Sequence, residues 1–187
     1  MADVEAEPPE LFTRLDAGEV DVAVAVDFAA APPRTDSRYR RTPVLVDVLD
    51  LALAASHSAA VAEQVRLVVL AEEAWAVGRA ASCCGAVTRW VCAAAGFSPE
   101  IRHSVDDWAA VAALVAAGAG VALIPRLAQH HRPGLVLRPV AGAPLARHVF
   151  AAVRAGSQAD PVLNSLLTQL QAAAAQLDQP HASVGIP

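Results

Sequence analysis

The chain repeatedly changes its hydrophobic period. Amphipathic helical stretches alternate with short valine-rich apolar runs, and glycine or proline marks most of the changes. Residues 106–125 show this most sharply. Trp108, Val111, Leu114 and Val115 recur at helical spacing and share one face. Ser104 or Asp106 is placed to cap the start of that helix, and Gly118 to stop it. Gly118-Ala119-Gly120 then reads as a tight turn, and residues 121–124 as a buried strand ended by Pro125. A helix passed so quickly to a wholly apolar strand has to lie on a sheet covered on both faces. The pattern therefore predicts an α/β fold built on mostly parallel strands.

The rest of the chain obeys the same alternation. Pro8 and Pro9 open a short helix over residues 8–18, with Leu11, Phe12 and Leu15 on one face and Gly18 as its stop. Residues 20–26 read as a strand, 30–41 as a loop and 44–55 as extended chain in one strand or two. A weak helix over 59–73 precedes a strand at 75–77. The helix over 82–95 places Val87, Trp90, Val91 and Ala94 on one face, with Gly96 as its stop. Strands follow at 99–105, 135–140 and 146–153. An amphipathic helix over 161–177 carries Leu163, Leu166, Leu167 and Leu170, and residues 178–187 form a loose tail. In α/β sheets ligands sit beyond the carboxyl ends of strands. That singles out the loops at 27–35, 78–82 and 118–125.

Composition narrows the function. A chain of 187 residues makes one domain or two small lobes. Apolar residues reach 55%, but 44 of them are alanine, and no run approaches the roughly 18 strongly apolar residues of a membrane span. The acidic start lacks the apolar segment of a secretory signal. Fourteen arginines, no lysine and 19 acids give a formal charge of −5, which argues against this chain gripping a phosphate backbone alone. Three cysteines, an odd number, fit a reducing cytoplasm.

No nucleophile elbow, phosphate-binding loop or zinc-protease motif is present. Cys84 and Cys92 lie eight residues apart on one helix, about 12 Å along its axis, too far for a disulfide. With no second ligand pair, Cys83, Cys84 and Cys92 read as structural thiols, and neither a metal nor a cofactor is expected. His130-His131 reads as a solvated turn. Arg34, Arg38, Arg40 and Arg41 have two readings: capture of an anion, or a solvated loop partly neutralised by Asp36. His57 either donates to a ligand or caps the next turn. The glycines at 118 and 120 follow a helix rather than precede one, so they make no phosphate cradle.

Taken together, four stretches resemble the effector-binding domain of LysR-type transcriptional regulators. Residues 11–24 look like the family's L-x-x-G-E-L-D-L-A-I passage, and 51–59 like L-V-L-V-x-x-x-H-P-L-A, with Ser58 in place of the proline. Residues 114–125, L-V-A-A-G-A-G-V-A-L-I-P, resemble L-V-A-A-G-L-G-I-A-L-L-P. Residues 147–154 and the helix from Pro161 are similar to the closing strand and helix. The resemblance implies a two-lobed fold like type II periplasmic binding proteins, with two crossover strands. One lobe would hold residues 1–50 with 145–187, the other 51–140. The family's winged helix-turn-helix, linker helix, and first strand and helix of the effector domain would all precede Met1.

The resemblance also implies function: a small-molecule effector sensor, not an enzyme. Ligand-binding positions carried over are Asp27 and the segment to Thr35, His57, Val77, Gly78 and Arg79, and Ser104 with Asp106. Arg79 is the expected partner for an anionic effector. A homodimer or higher oligomer is implied, with DNA reached only through the absent helix-turn-helix and with no membrane contact. Three rivals remain. A free-standing solute-binding protein would need an export signal or a lipid-anchored cysteine. An enzyme on this fold would have only Cys83-Cys84 and His57 to work with. A headless partner would form mixed dimers with full-length regulators.

Overall fold

A computed structural model describes residues 5–28, 31–78, 82–129, 131–142, 144–157 and 159–177. In chain order its elements are α1 (Pro8–Ala17), β1 (Ala23–Val26), β2 (Tyr39–Ala54), β3 (Ala74–Val77), α2 (Cys83–Ala94), β4 (Glu100–Ser104), α3 (Trp108–Ala116), β5 (Ala122–Pro125), β6 (Leu135–Arg138), β7 (Ala146–Arg154) and α4 (Pro161–Leu177). The chain divides into two compact units: Met1–Val46 with His148–Pro187, and Asp47–Arg147. It passes from the first unit to the second along β2 and returns along β7.

In the first unit β1 pairs antiparallel with β7, Ala23 opposite Ala152 and Val26 opposite Val149. Small residues at Ala23, Ala25, Ala151 and Ala152 let helices approach both faces closely. On one face α1 packs Leu11, Phe12 and Leu15 against Tyr39 and Phe150. The Phe12 ring lies 5.0 Å from Tyr39 and 6.3 Å from Phe150, centre to centre. On the other face Leu163, Leu167 and Leu170 of α4 meet Ala151 and Val153. Proline opens α1 as predicted. Gly18, at φ +75°, closes it, its N–H donating to Leu15 O at 3.2 Å.

In the second unit the end of β2 is flanked by β5 and β6, both antiparallel, with Ala52 opposite Ala122 on one side and Leu137 on the other. β3 and β4 run parallel. Trp75 is fully buried among Leu49, Leu51, Leu70 and Val121, and its indole N–H donates to Leu70 O at 3.2 Å. α3 covers Ala52, Ala76, Ala122 and Ile124 with Val111 and Val115. At Gly120 a Cβ would lie 2.5 Å from Ala74 O, so the backbone itself demands glycine there.

The structure departs from the sequence reading in several places. Among the described strands β1 pairs antiparallel with β7, and β2 with β5 and β6, while β3 runs parallel to β4 and single parallel bridges join Trp75 to Val121 and Val65 to Val140. Unbroken apolarity reports burial on both faces, not direction, so it cannot tell the two apart. Residues 39–54 form one strand that starts inside the expected loop and runs through Pro43. The strand expected at 20–26 begins at Ala23. Two single turns, Ser58–Val61 and Leu67–Leu70, stand where a weak helix was expected. Trp90 points outward at 64% exposure, because α2 buries Gly85, Thr88, Val91 and Cys92 instead. The cap of α3 is Asp107, whose Oδ1 accepts from the Ala110 N–H at 2.6 Å, rather than Ser104 or Asp106. The tail at 178–187 lies outside the described residues. No helix among those described is long and apolar enough to cross a membrane.

Candidate functional site

The first unit carries a cavity of about 430 Å³, lined entirely by its own residues. Its apolar lining comes from residues 43–46 of β2 with Val149 and Phe150 of β7, and its polar lining from Asp27, Arg34, Tyr39, Arg41 and His148. β1 delivers Asp27 just past its carboxyl end, where the Asp27 N–H donates to His148 O at 2.8 Å. Arg41 is held at three points. It donates to Asp27 Oδ1 at 2.9 Å and to Pro32 O, and its guanidinium lies 3.9 Å over the Phe150 ring. Arg34 reaches Asp27 Oδ2 through Nε at 2.7 Å and Nη2 at 2.6 Å, and its side chain is 71% exposed. Burial opposes the Asp27 charge, but hydrogen bonds from Arg41 and Arg34 outweigh it and hold the carboxyl below the ordinary aspartate value. Tyr39 keeps its proton: burial, then its hydrogen bond to Asp16, pushes the phenol up to about 12.

The second unit gathers polar groups in two places. At the carboxyl ends of β3 and β4, Val77 pairs with Ser104, and Gly78 sits against Ser82 and Asp106. A Cβ on Gly78 would lie 2.4 Å from Ser82 Oγ. Ser82 caps α2, its hydroxyl accepting from the Gly85 N–H at 3.1 Å. Elsewhere two buried carboxylates are paired. Arg147 donates to Asp47 Oδ2 through Nε at 3.0 Å and Nη2 at 2.7 Å, while Leu127 N–H donates to Oδ1 at 3.2 Å. Nη1 of the same arginine donates to Cys84 Sγ at 3.3 Å. Asp50 accepts from Arg126 at 2.8 and 3.1 Å and from Gln129 at 3.0 Å.

The expected site residues therefore separate. Asp27 lines the cavity; Thr35 is exposed and does not. Val77, Gly78, Ser104 and Asp106 come together in the second unit. Arg79 lies outside the described residues. His57 takes the capping role: its Nδ1 accepts from Ala59 N–H at 3.1 Å, and its Nε2 lies 3.2 Å from Glu73. Of the arginine cluster, Arg34 and Arg41 turn into the cavity, while Arg38 binds Asp16 and Asp36. Reading the sequence did not find His148 or Phe150, nor Asp47 with Arg147. No local signal marks them, because strand pairing alone brings them to their partners. Among the described residues no three His, Cys, Asp or Glu side chains gather as metal ligands. Among the described residues no serine, cysteine or threonine nucleophile with an adjacent base lines the cavity.

Comparison with known proteins places the chain. The C-terminal domain of a probable LysR family transcriptional regulator from Rhodococcus sp. RHA1 is 26% identical, with a TM-score of 0.75 over 89% of this chain and 81% of that one. The Synechocystis PCC6803 CcmR regulatory domain, solved in complex with 2-PG, shares the fold at 17% identity and a TM-score of 0.75, over 90% of this chain and 80% of that one. HinK, a LysR family transcriptional regulator from Pseudomonas aeruginosa, shares it at 19% identity and 0.77, over 91% of this chain but only 59% of that one. No curated protein matches the sequence. The model of the LysR substrate binding domain family matches residues 4–175, nearly the whole chain. The fold is accordingly the α/β, type II periplasmic-binding-protein-like fold of those domains, and the chain belongs to the LysR substrate-binding domain family.

Proposed function

We propose that the chain is the small-molecule effector-sensing part of a LysR-type transcriptional regulator. The family match over residues 4–175 carries this reading. The cavity beside Asp27 supports it by offering a preformed concave site of a size that takes a small organic molecule. On this reading the two units correspond to the family's two regulatory lobes. Contact with DNA belongs to a helix-turn-helix supplied outside these residues, in the cytoplasm, with the domain working as a dimer or larger assembly. An anionic effector suits a cavity whose charged side chains are two arginines and one aspartate. Sensing then means that the effector binds one arrangement of the regulator better than another and shifts the population toward it.

The test has two parts. Thermal-shift measurements on the protein with a broad library of organic acids, amino acids, sugars and nucleotides should yield at least one compound that raises Tm in a dose-dependent way. An immunoblot of the native protein in its own cells should show a band well above 19.3 kDa, matching a regulator with its DNA-binding part attached. A library without a single stabilising compound would count against effector sensing. A band at 19.3 kDa would leave a sensor without a DNA-binding part.

A further inference from the structure

The cavity in the first unit holds two arginines in unequal states. Arg41 is only 13% exposed and is fixed by Asp27, the Pro32 carbonyl and the Phe150 ring. Arg34 is largely exposed, and among the described residues its side chain is held by Asp27 Oδ2 alone. An exposed ion pair of that kind is weak and exchanges readily. The two carboxylate oxygens divide the labour: Oδ1 serves Arg41, and Oδ2 serves Arg34. If Arg34 lets go, Asp27 still has Arg41, so no buried charge is left alone.

We infer that this cavity takes a small organic monocarboxylate, gripped by Arg34 in place of Asp27. The proposal rests on the effector-sensing reading and names the ligand class for it. Three observations converge. The Nε–Nη2 edge of Arg34 already holds a carboxylate oxygen, so the incoming group repeats an existing contact. Arg34, Arg41 and Asp27 sum to one positive charge, which a single carboxylate cancels. The cavity is also lined by Pro43, Val44, Leu45, Val46 and Val149, whose apolar side chains suit an apolar body rather than a sugar or a second charge. A neutral amide loses the charge pairing, and an amine adds like charge beside two guanidiniums.

Calorimetric titration of the whole protein with benzoate and hexanoate, each against its own amide, tests this. At least one acid should bind about tenfold or more tighter than its amide. Arg34→Ala should weaken that acid at least about tenfold without moving Tm, and Arg34→Lys should recover part of the loss. Leu45→Trp, which fills the cavity, should abolish binding while the far-ultraviolet spectrum stays native. Equal affinity for acid and amide, an acid indifferent to Arg34→Ala, or no acid bound at millimolar concentration would each overturn the inference. If a neutral library compound binds while the acids do not, effector sensing stands and the monocarboxylate falls. If nothing binds in either experiment, both fall together.

Discussion

Asp27 shows how one side chain ties the stability of the first unit to pH. In the folded chain its carboxyl is held below the ordinary value, so its stabilisation is complete above the unfolded-chain pKa, near about 4. That stabilisation drains away as pH falls through the lower, folded value. Asp27→Asn should therefore lower Tm by roughly 2–4 °C at neutral pH, and the gap from wild type should close as the solution is acidified below about pH 4. Thermal melts of both proteins across that range check it; a constant gap would mean that Asp27 is not titrating between its two arginines. The Asp47–Arg147 pair makes a harder contact. The Asp47 side chain is 1% exposed, so Arg147→Ala strands a buried charge and should cost about 3–5 kcal/mol in urea unfolding. Replacing both residues by leucine should cost less than that single change. Burial also pushes the Cys92 thiol up to about 11, so alkylating reagents should reach it near neutral pH only after unfolding.

At the scale of elements, the turn between α3 and β5 offers a graded comparison. Gly118 stands at φ +76° with open space where a Cβ would go, so Gly118→Ala should cost only the left-handed backbone, about 1 kcal/mol. Gly120→Ala drives a methyl into the Ala74 carbonyl, which also accepts the Val121 N–H at 2.8 Å, and should cost more than about 2 kcal/mol. Asp107→Ala removes the α3 cap and should cost about 1 kcal/mol. Chemical denaturation of the three variants tests the order, with Gly120 expected to be worst. These devices were legible in the sequence because a cap, a glycine stop and a helical stripe each span a few residues; only the choice of Asp107 over its neighbours was missed. α1 and α4 were legible for the same reason. Strand direction, the unbroken run of β2 and the buried stripe of α2 were not, since each depends on a partner far along the chain. The cavity divides the same way. Asp27 follows a recognisable strand, but His148 and Phe150 meet it only because β1 pairs with β7.

At the scale of the whole molecule, the second unit is one unbroken segment, Asp47–Arg147, whereas the first is made from both ends of the chain. The second unit has its own buried cluster around Trp75, Leu51 and Leu70. Residues 47–147 produced alone should therefore melt cooperatively and keep a near-ultraviolet tryptophan signal. A featureless melt would show that this core needs the rest of the chain.

The discontinuity of the first unit sets the order of events during synthesis. β1 leaves the ribosome while its partner β7 is still untranslated. Roughly 120 residues separate the two, which at ordinary elongation rates is a wait of roughly 6–25 s. Throughout that wait the apolar faces of α1 and β1 have no β7 or α4 to cover them, while the segment between is still being made. A nascent chain of this kind is exposed to chaperones and proteases at α1 and β1, and those faces become safe only when β7 and α4 arrive.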